Sequence, residues 1–364
     1  MADLKRNKNN KFNVNCLELA FQQANINLGS TKTNPSVGCV VEKNGSIIST
    51  GSTSMNGRPH AEHNALNLKK NFKDCTLYVT LEPCNHFGKT PPCVNSIIKS
   101  KIKKVFYSIE DFDLRTTGKS ENILKKNKII VKKNILKSKG NDFYKSHKLR
   151  NKKQLPLIDA KLAISKDYFT INKKNKWITN EKSRLRGQYY RSTYDCLLST
   201  SYSINKDNSL LNCRIKGLEN KSPDVIIIDR FFKIKKNLKL FKLPLNRKIK
   251  ILTTKKNKKK TSFFKKKKID IILLKKMETR DDYLKIFKSL SKNYSRVLVE
   301  SGLTYLNFLI NYKLIDNLYI FKSALNLKKY GHNNDTISHI KKIKLKSKIH
   351  VYLYGDNLFK IKLK

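Results

Sequence analysis

No apolar run in this 364-residue chain approaches the roughly 20 residues needed to span a bilayer, so a membrane segment is not expected. The basic start, Met1 to Lys11, leads into Phe12 to Gly29, which is amphipathic rather than an uninterrupted signal core. Cytoplasm is therefore the expected compartment. Cysteine is too sparse for a disulfide scaffold: seven residues, an odd number, at positions 16, 39, 75, 84, 93, 196 and 213. Five of them sit in apolar stretches, where a buried thiol is expected. Acidic residues are also few, 27 Asp and Glu against 79 Lys and Arg, for a net charge of +52. No internal repeat relates the two halves.

A charge of that size is the usual footprint of nucleic-acid binding. Its distribution argues otherwise. Lysine is spread from Lys5 to Lys364, arginine is scarce, and the densest run, Lys255 to Lys268, reads as a low-complexity loop. Drift toward lysine and asparagine accounts for the charge, and no specific nucleic-acid partner is expected. With 39% hydrophobic residues the chain can build cores, and its length suits two domains.

Asn13 can cap a helix whose apolar positions Val14, Leu17, Ala20, Phe21 and Ala24 share one face. Val37 to Val41 reads as a strand, returning through a hairpin at Asn44-Gly45 to Ile47-Ile48. A helix from His60 to about Lys70, a strand Thr76–Leu81, a helix from Val94 to about Ser100 and a strand Val105–Ile109 follow. Lys132 to Gln154 reads as a linker with some helix. Beyond it, strands are expected near Leu157–Ile164, Cys196–Ser199, Val225–Asp229, Ile249–Thr253, Ile269–Leu274, Arg296–Glu300 and Leu318–Phe321. A terminal pair, His350–Tyr354 and Leu358–Lys362, turns on Gly355-Asp356-Asn357. Helices over Glu181–Arg191, Asp281–Leu290 and Thr304–Tyr312 separate the strands. The alternation predicts two α/β domains, 1–150 and 151–364.

One cluster carries chemistry. His60-Ala61-Glu62 is followed, 21 residues beyond Glu62, by Pro83-Cys84 and then Cys93. A catalytic zinc takes three protein ligands and keeps one position for water. One imidazole and two thiolates, His60, Cys84 and Cys93, fill that count. Helices starting near His60 and Cys93 would turn their N-termini toward the metal. Glu62 lies two residues past the first ligand, placed to shuttle protons from water to the substrate and its leaving ammonia. Met singly, each residue reads as an ordinary core or surface group. In this order they form the signature of zinc nucleobase deaminases.

The spacing discriminates further, because eight residues, Asn85 to Pro92, separate the cysteines. Thr80 to Cys93, with Thr33-Asn34-Pro35-Ser36-Val37-Gly38-Cys39-Val40 and Pro59-His60-Ala61-Glu62, closely resembles the bifunctional riboflavin-biosynthesis deaminase/reductase family. The resemblance implies a cytidine-deaminase-like three-layer domain followed by a dihydrofolate-reductase-like α/β domain. It implies zinc, a phosphoribosylaminopyrimidine substrate, and Asn34 at the substrate pocket. A homo-oligomer is expected. Phe87 and Lys89 depart from the family's His and Arg. His63 reads as a packed or surface residue, and His86 suits either a substrate contact or a loop-shaping role.

In the second half, Lys161-Leu162-Ala163-Ile164-Ser165-Lys166-Asp167, Trp177-Ile178-Thr179 and Val299-Glu300-Ser301-Gly302 resemble the family's reductase, which uses NADPH. The resemblance places Ala163, Trp177, Ser203, Asp207, Gly302, Leu303, Thr304, Tyr305 and Leu306 at the cofactor. It places Asn175, Arg191, Leu211, Arg214 and Glu300 at the substrate, where the two arginines suit a phosphate. Tyr168 stands where the family has glycine, Leu303 where it has proline, and Ser323 to Leu327 departs from a Gly-containing segment. A lost glycine matters where the backbone must take positive φ, so a weakened reductase is expected.

Overall fold

The protein is described by a computed structural model covering residues 2–68, 71–242 and 247–364, with the side chains of residues 2–9 outside that description. Two compact units emerge, Met1–Gln154 and Leu155–Lys364. Among the described residues no helix is long and apolar enough to cross a membrane.

The first unit opens with α1 (Ala2–Ile26) and contains a sheet ordered β2-β1-β3-β4-β5. Its strands are β1 (Gly38–Lys43), β2 (Ser46–Ser52), β3 (Thr76–Leu81), β4 (Lys104–Ile109) and β5 (Ile130–Lys132). β1 pairs antiparallel with β2 and β3, whereas β3, β4 and β5 run parallel. The hairpin turns on Asn44 and Gly45, both at positive φ, which matches the twist of the flanking strands. The helix begins well before Asn13, whose side chain accepts a hydrogen bond from the Tyr78 hydroxyl at 2.7 Å instead of capping it.

Two glycines bring helices flush against this sheet. A Cβ at Gly38 would stand 1.8 Å from the Ala20 carbonyl oxygen in α1. One at Gly51 would stand 2.2 Å from the carbonyl oxygen of Ala61, which opens α2 (Ala61–Leu66). The second approach seats His60 to Glu62 directly over β2. Lys69 and Lys70, the expected end of that helix, lie outside the described residues. α3 (Cys93–Lys99) and α4 (Ser120–Lys126) follow.

The expected linker is not one. Within Lys132–Gln154 run α5 (Lys137–Phe143) and α6 (Lys145–Asn151), and Tyr144 between them is buried. Its hydroxyl meets Thr80 Oγ1 at 2.6 Å and donates to the Ser36 carbonyl at 3.1 Å. Phe143, packed on Phe21, and the closely seated Gly140 dock the segment with it, a few residues that a lysine-rich composition concealed.

The second unit is a nine-stranded sheet ordered β11-β10-β9-β8-β12-β6-β13-β16-β15. β6 (Leu157–Ile164) lies between β12 and β13, and a small separate ladder joins β7 (Ile171–Asn172) to β14 (Gly331–His332). α7 (Glu181–Ser192), β8 (Cys196–Thr200), α8 (Ser201–Asp207), β9 (Asp224–Ile228) and β10 (Ile249–Thr253) come next. After α9 (Lys258–Lys266) follow β11 (Asp270–Leu273), α10 (Arg280–Leu290), β12 (Arg296–Val299), α11 (Leu303–Asn311) and β13 (Asn317–Lys322). β14, α12 (Ser338–Lys342), β15 (Lys348–Ile349) and β16 (Asn357–Lys362) end the unit. The sheet is parallel from β11 to β13, and β16 and β15 add antiparallel.

Two expectations fail here. Residues 350–354 leave the ladder, because Asn180, which caps α7, draws the Leu353 carbonyl to its Nδ2 at 2.6 Å. Asp356 meanwhile accepts from Asn180 N and Ser183 Oγ. Lys255 to Lys268 is no loop: Asn257 caps α9 by accepting from Lys260 N, and Phe264 is fully buried against Phe232 and Phe241. Lysine stems and one aromatic face make this an amphipathic helix. Phe264→Ala should cost about 3–5 kcal/mol, visible as a lower midpoint in thermal or denaturant unfolding. A change within error would mean that the run does not pack.

Candidate functional site

In the first unit the chain brings the three expected ligands together. The donor atoms of His60, Cys84 and Cys93 all lie within 4.8 Å of one another. His60 Nδ1 is 3.6 Å from Cys84 Sγ and 3.4 Å from Cys93 Sγ. Tetrahedral zinc with bonds of about 2.0–2.3 Å requires ligand–ligand edges of about 3.5 Å, so the donor set fits the metal in both chemistry and spacing. Cys93 N–H donates to Cys84 Sγ at 3.3 Å, and Val94 N–H to the Cys84 carbonyl at 3.2 Å. These two bonds bring the start of α3 directly to Cys84. Because α2 and α3 are short, such individual N–H bonds matter more here than a long-helix dipole.

Glu62 is buried in the first turn of α2. Burial pushes its carboxyl up to about 7, and the Cys84 charge adds to the effect. Cys84 falls to about 4, first through its hydrogen bond with Cys93 and then through His60. Asn34 donates through Nδ2 to the Gly57 carbonyl at 2.7 Å, three residues before His60. His63 is exposed, and Cys16, Cys39, Cys75, Cys196 and Cys213 are buried thiols.

A second layer holds the ligand loop. The buried Glu82 carboxylate accepts from the backbone N–H groups of Asp111 (3.2 Å), Gly118 (3.0 Å) and Ser120 (3.1 Å). Ser120 Oγ donates to the Pro83 carbonyl at 2.6 Å. The loop so fixed presents Thr116, whose hydroxyl lies 3.0 Å from His86 Nδ1 and whose carbonyl accepts from Asn85 Nδ2 at 3.3 Å. His86 is thus tied to a wall of the site. His147 on α6 adds a further brace, with Nε2 2.9 Å from Asp111 Oδ1. Sequence inspection passed over Glu82, Thr116 and His147; only the position of Glu82 beside Pro83-Cys84 could have drawn attention to it.

The second unit brings some of its expected residues together near the ends of β8 and β12 and leaves others apart. Arg191 on α7 grips Glu300, just beyond β12, with Nε–Oε1 and Nη2–Oε2 both at 2.7 Å. A third Arg191 donor, Nη1, goes to the Asn212 carbonyl at 3.0 Å. Arg191 is thereby largely occupied, and Arg214 is the more exposed guanidinium. Burial and then the Arg191 charge lower the pKa of Arg214, and Arg247 falls to about 10 for the same reasons. Arg247 donates to the carbonyls of Leu210, Leu211 and Pro223. Leu211 is itself buried at φ 50°, so its backbone, not its side chain, is what the loop can present.

Gly302 N–H, at the start of α11, donates to Ser203 Oγ at 3.1 Å, joining two expected cofactor residues. Leu303 and Leu306 are buried in the core, Thr304 is exposed, and Tyr305 stacks on Phe308. Ala163 lies on β6 opposite Phe321, while Asn175 donates its backbone N–H to Asn172 Oδ1. Trp177 is 52% exposed, with the Arg184 guanidinium 4.9 Å and Lys176 Nζ 5.1 Å from its ring centre. Burial raises the Asp207 carboxyl, against the opposing charges of Lys206, Lys176 and Lys161. Lys161 itself, on β6, is lowered by burial, and Glu300 and Asp207 oppose that shift. It belongs to this constellation although its motif had suggested only a fold resemblance.

Residues 11–109 match the cytidine and deoxycytidylate deaminase zinc-binding region, and residues 156–325 match the RibD C-terminal domain. The riboflavin biosynthesis protein RibD of Buchnera aphidicola subsp. Baizongia pistaciae is 31% identical over 320 residues, covering 83% of this chain and 84% of its own. The chain belongs to the RibD family. The Aquifex aeolicus RibD is likewise 31% identical, across 84% of this chain and 85% of its own. With the Bacillus amyloliquefaciens RibD identity rises to 37%, but the chain spans only 58% of that relative's length.

RibD proteins join a zinc-dependent deaminase to an NADPH-dependent reductase in riboflavin biosynthesis, and both halves are present here. A solved structure from Thermotoga maritima, titled diaminohydroxyphosphoribosylaminopyrimidine deaminase/5-amino-6-(5-phosphoribosylamino)uracil reductase, has 25% identity and a TM-score of 0.81. It covers 97% of this chain and 99% of its own. The RibD of Acinetobacter baumannii, at 24% identity and a TM-score of 0.79, shares the fold. For the zinc ligand set, Cys84→Ser and Cys93→Ser should each lose most of the one Zn²⁺ per chain measured by elemental analysis. Full zinc retention in Cys84→Ser would exclude it as a ligand.

Proposed function

We propose that the chain deaminates 2,5-diamino-6-(5-phosphoribosylamino)pyrimidin-4-one and then reduces the ribosyl chain with NADPH, giving 5-amino-6-(5-phosphoribitylamino)uracil. The observation that carries the first step is the convergence of His60, Cys84 and Cys93 beside a buried Glu62. Zinc held there supplies a Lewis acid that makes water a nucleophile near neutral pH. Glu62 takes one proton from the attacking water and passes it to the ring nitrogen. It then carries the proton of the added hydroxyl to the departing amine at C2, so one water is consumed and ammonia released. Asn34, fixed to Gly57, orients the pyrimidine.

In the second step NADPH supplies hydride to the carbonyl carbon of the opened sugar. The oxygen left behind needs a proton from a general acid. Arg214, with Arg191 and Arg247 behind it, makes an excess of positive charge suited to the substrate phosphate. The Gly302 turn, Ser203, Asp207 and Trp177 form the cofactor side. Tyr168 takes φ 67°, the backbone shape for which the family's glycine is suited, and Lys322 Nζ lies 4.2 Å from its ring centre.

The free thiols suit a reducing compartment, supporting the cytoplasm as the place of action. A homo-oligomer acting on a small molecule remains our reading, with no specific nucleic acid bound. Polyanion binding driven by the +52 charge should vanish near physiological salt.

Glu62→Gln should keep zinc while deamination falls by about a hundredfold or more; near-full activity would move the proton shuttle elsewhere. Wild type should show weak NADPH-dependent reduction, lost in Arg191→Ala and Asp207→Ala. Tyr168→Gly should tighten NADPH binding, followed by quenching of Trp177 fluorescence. Absence of both quenching and product in wild type would leave the second unit without a reductase role.

A further inference from the structure

Arg58 stands two residues before His60 and is half-buried. Its Nη1 donates to Thr90 Oγ1 at 2.5 Å, and its Nη2 lies 3.6 Å from where a Cβ on Gly88 would stand. Gly88 and Thr90 belong to the loop that runs between the two cysteine ligands. On its other side the chain is fixed at Gly57, whose carbonyl accepts from Asn34 Nδ2 at 2.7 Å. The guanidinium is therefore anchored on the loop that joins the two cysteine ligands, and its backbone follows directly on the carbonyl that holds Asn34.

Among the described residues no carboxylate pairs with Arg58. A guanidinium carries five N–H donors in a planar fork. Thr90 engages one of them, which leaves the Nε and Nη2 edge for another acceptor. A partly desolvated cation without a partner is costly, whereas a bidentate bond to a phosphate offsets that cost. Lys89, exposed on the same loop, adds a second positive charge without competing for that edge.

We propose that Arg58 is a specificity-determining residue of the deaminase half, binding the phosphate of the substrate's phosphoribosylamino group. This rests on the deamination reading above. The phosphate is remote from C2, so its contact selects the nucleotide over the nucleoside through binding rather than through the chemical step. The bridge to Thr90 holds the fork in place before substrate arrives, which lowers the cost of ordering it.

The test uses the zinc-loaded full chain and two substrates, the phosphorylated diaminopyrimidine and its dephosphorylated riboside. A charge-assisted bond of this kind corresponds to about a 10- to 100-fold effect. Arg58→Ala should reduce the kcat/KM preference for the phosphorylated substrate by that factor, mostly through KM, and Arg58→Lys should recover part of it. Ribose 5-phosphate should inhibit deamination by wild type and lose most of that effect on Arg58→Ala. If Arg58→Ala slows both substrates equally, or loses zinc, Arg58 merely braces the Thr90 loop and the proposal is overturned. If wild type deaminates neither substrate, the deamination reading itself fails and takes the proposal with it.

Discussion

The buried Glu82 carboxylate is the contact on which the first site depends. It leaves the end of β3 immediately before Pro83 and Cys84 and collects three backbone N–H groups from a loop that follows β4. A carboxylate with no such partners would be expensive to bury. Satisfied this way, it locks two strand ends to each other and fixes where Cys84 begins its turn toward Cys93. His86 and Asn85 inherit their positions from that lock through Thr116. On the facing side the missing side chain of Gly51 lets α2 sit on β2, which brings His60 and Glu62 to the same point. The metal site is the meeting of two close approaches, one made by hydrogen bonds and one by an absent methyl group.

The second unit has a different arrangement, three arginines gathered around one carboxylate. Glu300 is held ionised by Arg191 despite burial, and their bidentate pair supplies the fixed point. Arg247 and Arg214 then lie within the field of Arg191, with the loop carbonyls of Leu210 and Leu211 absorbing Arg247. The charge left over is positive, and Arg214 carries it at the surface.

Tyr168 shows how a lost glycine can be tolerated. The turn keeps positive φ because Ser165 and Asp167 bind it from both sides: Ser165 Oγ accepts from Phe169 N at 2.8 Å, and Asp167 accepts from Leu327 and Lys328 N–H. A non-glycine residue in that region costs of order 1 kcal/mol, small against a network of this size. The departure from the family pattern therefore leaves the surrounding framework standing.

The sequence by itself determined most strands of both sheets to within a residue or two, because apolar runs bounded by Gly, Pro and Asn leave few alternatives; the short β5 and β15 escaped it. It also pointed to the trio His60, Cys84 and Cys93 that the fold brings together and to the buried Glu62 on the same short helix as a candidate partner, since residue type and order there suggest the chemistry directly. Composition misled where burial rests on a few residues among many lysines: Tyr144 with Phe143 and Gly140 turned a supposed linker into two docked helices, and Phe264 turned a lysine run into α9. Residues 350–354 escaped pairing because a helix cap far off in sequence claimed their carbonyls. Only the tertiary structure could decide that Glu82 clamps a distant loop, that Arg191 spends its fork on Glu300, or that Arg58 keeps part of its own. Those facts depend on which polar groups share a desolvated space, and local sequence does not record its neighbours across the fold.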